Sequence, residues 1–162
     1  MNTDQICKQA LLKASLDRVW RAISNSNEFG IWFGVKFDDP FVAGQAMRGH
    51  IVPTQMDPEV AEMQKPHVGK PFNIVVEQLE PRNLFSFRWH PFAIEPDKDY
   101  SSEPTTLVAF ALEETPGGVL LTISETGFDQ IPLERRAKAF AANDGGWTHQ
   151  LILVEKYVGL PE

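Results

Sequence analysis

The chain lacks most of the features that announce a function. It has one cysteine, Cys7, among 162 residues, so no disulfide can form within it. No apolar run approaches the ~18 residues of a membrane span. The N-terminal stretch "MNTDQICKQA" has neither the basic flank nor the apolar core of a signal peptide. Basic residues are scarce, 15 against 22 acidic ones, for a net charge of −7. A phosphate-backbone partner needs a basic patch. The nearest cluster, "ERRAK" at 134–138, reads as a solvated helix face. The expectation is a soluble cytoplasmic protein with neither a nucleic-acid partner nor a membrane span.

Chemical motifs are equally sparse. The four histidines, His50, His67, His90 and His149, show no metal-ligand spacing, so neither a metal nor a cofactor is expected. No serine stands in a nucleophile elbow, and no glycine-rich phosphate loop is present. Cys7 is expected to be a small buried strand residue rather than a nucleophile. His90 and Arg88 fall on the outward parity of their strand.

What is present is a patterned, aromatic-rich chain. At this length one domain buries ~70% of the surface its unfolded chain exposes. The expectation is a single domain over 1–162, with its core at about 5–158. A first strand covers 5–14, and Ser15 caps the helix "SLDRVWRAISN", with Asp17 in its first turn. A second short helix, "SNEFGIWFG" at 26–34, ends at Gly34. Candidate strands follow at 35–38, 45–52, 70–81, 83–90, 105–115 and 119–128. Period-2 alternation puts Phe72, Ile74 and Val76 on one face. It does the same for Phe85, Phe87 and Trp89, for Val108, Phe110 and Leu112, and for Val119, Leu121 and Ile123. Asp57, Pro58 and Glu59 signal a short helix within the connection 53–69, and 90–104 holds three prolines.

The last helix opens at Pro132 and runs to about Val158. At 100° per residue one stripe collects Leu133, Ala137, Phe140, Asp144, Trp147, Leu151, Val154 and Val158. Gly145 and Gly146 sit inside this helix, where each costs roughly 1 kcal/mol against alanine. Two explanations are open. Either the missing side chains let the helix approach the sheet closely, or the helix breaks there and Asn143 or Asp144 caps a second segment. Two carboxylates have a similar choice. Glu125 shares parity with Val119, Leu121 and Ile123, and Asp144 falls on the apolar stripe. Both could point inward and orient or protonate a ligand. Equally, Glu125 could end at a solvated rim and Asp144 could cap a local break.

The order β-α-α-β-β-β-β-β-β-α resembles the START-like (helix-grip, SRPBCC) superfamily. Within it the chain resembles the group homologous to the C-terminal domain of the activator of the heat-shock chaperone ATPase. The resemblance is carried by "SLDRVWRAISN", "EFGIWFG", "LFSFRW", "TTLVAFALEETPGGVLLTISETGF" and the "GGW" of the last helix. It implies an α+β helix-grip fold, a curved antiparallel sheet wrapped around a long C-terminal helix with a cavity between them. The expected lining is Phe72, Ile74, Phe85, Phe87, Trp89, Phe110, Leu121, Phe140, Asp144, Trp147 and Leu151. Such a cavity, apolar with few polar groups, suits a hydrophobic or aromatic small molecule. The same cavity would serve a polyketide-cyclase-type enzyme, and the resemblance also implies a chaperone as partner. The connections 53–69 and 90–104 are expected to gate it.

Overall fold

The computed structural model describes residues 5–93 and 97–161. In chain order the elements are β1 (Gln5–Leu12), α1 (Leu16–Ser24), α2 (Ser26–Phe33), β2 (Val35–Phe37), β3 (Ala46–Ile51), α3 (Pro58–Gln64), β4 (Pro71–Glu80), β5 (Leu84–Trp89), β6 (Thr106–Thr115), β7 (Gly118–Thr126) and α4 (Leu133–Val158). The seven strands form one antiparallel sheet in the order β1-β7-β6-β5-β4-β3-β2. This is the α+β helix-grip architecture: α4 lies against β1, and α1 and α2 stand beside it.

Local chemistry sets the boundaries. The Ser15 side chain accepts the Arg18 amide at 3.1 Å to start α1. Asn25 Oδ1 accepts the amides of Asn27 and Glu28, both at 3.0 Å, to start α2. α2 stops at Gly34, whose φ of 98° disfavours a side chain, and a Cβ there would lie 2.8 Å from the Val52 carbonyl oxygen. Asp57 caps α3, and Pro58 takes its first position, where a missing N–H costs nothing.

The sheet's inner face carries the alternating residues that the sequence indicates. Ile74, Val76, Phe85, Phe87, Val108, Phe110, Leu121 and Ile123 are all buried. Their cover differs from the expectation of one long helix. The centre of the core belongs to α2, where the Phe29 ring lies within 4.8–6.1 Å of the rings of Trp32, Phe33, Phe37, Phe41, Phe85 and Phe110. The volume between sheet and helices is therefore occupied by α2 side chains. Two surface grooves lie outside it. One, of about 520 Å³, is bordered by Asp17, Trp20, Arg21, Pro81 and Arg82; the other, of about 360 Å³, runs between β1 and α4.

The inward face of α4 is not the stripe read from hydropathy. Ala139, Trp147, Leu153, Val154, Tyr157 and Val158 are buried, whereas Leu133 is 76% exposed and Ala137 is exposed. At 100° per residue this face is turned roughly 75° from the apolar stripe. The rotation brings polar residues inward, and three of them donate across the core, although Gln150 Oε1 is buried without a partner among the described residues. Asn143 reaches Glu125, Gln150 donates to the Phe33 carbonyl at 3.2 Å, and the Tyr157 hydroxyl donates to Glu28 at 2.8 Å. A hydropathy count cannot see such bonds, so it centres on the wrong line.

Both explanations of the paired glycines fail. α4 runs unbroken through Gly145 and Gly146, so nothing caps a second segment. A Cβ at either would meet no neighbouring atom within 4 Å, so neither serves close approach to the sheet. Gly145 is simply exposed. Gly146 lies on the inward side, in line with the fully buried Ala139 and Leu153, and yet faces open space. Cys7, expected to be buried, is exposed on β1, an edge strand. Its parity is opposite to that of the buried Ile6.

Candidate functional site

Four aromatic rings close into a frame between α2, β4, β5 and α4. Phe33 lies 5.3 Å from Phe72, Phe72 5.5 Å from Trp89, Trp89 5.7 Å from Trp147, and Trp147 6.0 Å from Phe33. Phe87 and Phe110 pack beneath it, at 5.4 Å from Trp89 and 5.7 Å from Trp147 respectively. Phe72 and Trp89 are half-buried, so the frame reaches the surface on the β4–β5 side.

Both indoles of the frame are tied to one carboxylate. Glu125, near the end of β7, is 0% exposed. Trp89 Nε1 donates to its Oε2 at 2.7 Å, and Trp147 Nε1 donates to its Oε1 at 2.8 Å. The Thr106 hydroxyl donates to Oε2 at 2.6 Å. Asn143 Nδ2 bridges both oxygens, at 2.9 and 3.1 Å. Strand parity aims Glu125 inward, and register completes the set, because β7 pairs with β6 so that Glu125 stands opposite Val108. Trp89 comes from β5, Thr106 from the start of β6, and Asn143 and Trp147 from adjacent turns of α4. Three strand and helix elements thus supply donors to a group that would otherwise be costly to bury. Among the described residues, no Lys, Arg or His forms an ion pair with Glu125.

Two connections border the site. Residues 53–69 are pinned at the frame. Thr54 donates its hydroxyl to the Trp32 carbonyl at 2.8 Å, and Gln64 Nε2 donates to the Phe33 carbonyl at 3.0 Å. Lys156 of α4 pairs with Asp57 at 2.7 Å, which, with the amides it accepts, holds the Asp57 carboxyl below its ordinary range. At the other end of α4, Arg135 holds the connection 90–104. Its guanidinium donates to Glu103 at 2.8 Å and to the carbonyls of Pro91 and Phe92, and it stacks 4.8 Å from the Tyr100 ring. Burial works to raise the Glu103 carboxyl, but Arg135 and Lys98 outweigh it and hold it low. His90 sits under this clasp, and burial pushes its imidazole down. Residues 94–96 of this connection lie outside the described residues.

The residues expected from the sequence divide into three groups. Phe72, Trp89 and Trp147 belong to the frame. Ile74, Phe85, Phe87, Phe110 and Leu121 are core beneath it. Phe140, Asp144 and Leu151 lie elsewhere. Phe140 packs on Phe128 at 5.2 Å. Asp144, 50% exposed, pairs outward with Lys8 at 3.2 Å, and Leu151 borders the groove against β1. All three follow from the rotated face of α4. Three site residues escaped the sequence reading: Phe33, Thr106 and Asn143. Thr106 shares parity with Val108 and Phe110 and was legible on that ground. Asn143 entered the sequence reading only as a possible cap for a second helical segment.

The fold and this arrangement place the chain among START-like, helix-grip proteins. The family model described as "Activator of Hsp90 ATPase homolog 1-like protein" matches residues 13–159, and the chain belongs to that family. No curated protein matches it. Among solved structures it is similar to a protein from Arthrobacter aurescens, with TM-score 0.73 and 15% identity over 99% of this chain and 90% of that one. It is also similar to CV1439 from Chromobacterium violaceum, with TM-score 0.70 and 17% identity over 99% and 100% of the two chains. DynU16, a protein of the dynemicin biosynthetic locus, aligns with TM-score 0.66 and 21% identity over 96% of this chain but only 47% of its own length. At these identities the likeness shows the fold alone.

Proposed function

We propose that the protein binds a small apolar or aromatic molecule at the four-ring frame, between the sheet and the C-terminal helix. The observation that carries this reading is a fully buried carboxylate set against two half-exposed aromatic walls. Ligand sites combine mostly apolar lining with a few fixed polar groups, and this is the combination present. The open space beside Gly146 supports a route of approach along the flank of α4. The rings are in mutual contact, so binding requires that Trp89 and Phe72 part, and the connections 53–69 and 90–104 act as gates. That DynU16 is encoded in a biosynthetic locus is in keeping with a small-molecule role for this fold.

Binding is favoured over cyclase-type catalysis by the state of Glu125. A general base must face its substrate with a free acceptor position, and here five hydrogen bonds engage both oxygens. Native mass spectrometry of freshly purified protein, with a thermal-shift screen of aromatic and lipid-like compounds, tests the reading. A ligand at 100 times its Kd adds about 2.7 kcal/mol, and amides in the two gating connections should exchange more slowly when it is bound. A protein that carries no ligand and responds to no compound in the screen would remove the reading.

A further inference from the structure

Among the described residues the carboxylate at the frame has no cationic partner, and this bears on what the frame receives. Buried charges are ordinarily paired with an opposite charge. Glu125 instead holds only neutral donors: two indoles, a hydroxyl and an amide. Its negative charge is solvated but not neutralised. The Trp89 and Trp147 rings stand beside this carboxylate, joined to it through their N–H edges, and a ring face nearby attracts a cation within about 6 Å of its centroid.

We infer that the ligand carries a hydrogen-bond donor on a flat apolar body, best a cationic amine, and that carboxylate-bearing molecules are excluded. The inference rests on the ligand-binding reading above and names its chemical class. Asn143 is the donor that such a head group replaces. Thr106 and Trp147 are buried and held by their packing in the sheet and core. Asn143 is a half-buried side chain on the α4 flank, one turn from the open space at Gly146. A single nitrogen, Nδ2, spans both carboxylate oxygens. An ammonium group with three N–H donors can take the same bridging position and supplies the missing charge. A carboxylate brought there meets another carboxylate and can offer no proton.

Four probes with one body separate the head groups: 2-naphthylmethylamine, 2-naphthol, 2-naphthoate and naphthalene. Each is titrated at neutral pH by tryptophan fluorescence and calorimetry against the full-length wild type, Glu125→Gln and Asn143→Ala. On the wild type the amine should bind about tenfold or more tighter than the naphthoate, with naphthol between them. Asn143→Ala vacates the bridging position, so its amine affinity should rise several-fold while naphthoate stays weak. Glu125→Gln should bring the amine-to-naphthoate ratio close to one. Naphthoate binding the wild type as tightly as the amine overturns the inference and leaves the ligand-binding reading intact. So does an unchanged ratio in Glu125→Gln. If that variant does not fold, Asn143→Ala decides: an amine affinity that is unchanged or weaker overturns the inference. Failure of all four probes on the wild type, naphthalene included, removes the reading itself and the inference with it.

Discussion

Gly146 is the residue whose sequence context and surroundings point in opposite directions. Propensity alone says that alanine is better there by roughly 1 kcal/mol. A contact with the sheet would reverse the sign, but none exists within 4 Å. Gly146→Ala is therefore expected to stabilise the protein by about 0.5–1 kcal/mol, read as a higher denaturant midpoint at unchanged slope. If ligand approaches through the open space beside Gly146, the same variant binds it more weakly, because a methyl group occupies the approach. Destabilisation would mean that the helix flank is closed in solution. The cost of this glycine is then a cost of keeping space beside Asn143, and it separates function from stability at a single position.

At the scale of elements, the clasp between α4 and the connection 90–104 is the part most sensitive to acid. Arg135 and Glu103 are each only 11% exposed, and Arg135 makes two further bonds to backbone carbonyls. Removing one partner of such a pair costs more than the pair contributes, because the other charge stays buried. Arg135→Gln should lower stability by about 3 kcal/mol at neutral pH. The carboxyl of Glu103 is held below its ordinary value in the folded protein. Its contribution is thus complete above the ordinary carboxylate range and fades as pH falls through the lowered folded value. The stability gap between wild type and Arg135→Gln should narrow over that interval. His90 acts in the same direction at higher pH. Its imidazole is held down by burial, so the native state loses stability as pH falls through the ordinary histidine range. Urea midpoints of both proteins from pH 7 downward check this, and a constant gap would show that Glu103 does not hold the clasp.

At the scale of the whole molecule, the frame is continuous with the core. Trp147 touches Phe110, Phe110 touches Phe29, and Phe29 touches the rings of α2 and β2. A site built this way cannot unfold separately from the sheet that carries it. Tryptophan emission, which reports on Trp20, Trp32, Trp89 and Trp147 together, should change at the same denaturant concentration as far-UV circular dichroism. An earlier fluorescence transition would show the frame opening by itself.

Most of the fold could be read from the sequence, because its determinants are local. Alternation in β4 to β7 fixed which residues face inward, Ser15, Gly34 and Asp57 marked helix ends, and strand parity aimed Glu125 at the interior. The face of α4 could not be read this way. Its inward line is set by bonds from Asn143 to Glu125, from Gln150 to the Phe33 carbonyl and from Tyr157 to Glu28, and these partners are 18, 117 and 129 residues away. Only tertiary structure brings such groups together, and only their pairing makes a polar residue cheap to bury. For the same reason the sequence showed many aromatics without showing which ones meet. Period-2 and 3.6-residue patterns record how one element meets an apolar surface. They carry no term for what lies on the other side, and the frame of Phe33, Phe72, Trp89 and Trp147, with Glu125 bonded to its two indoles, exists only where α2, β4, β5, β7 and α4 converge.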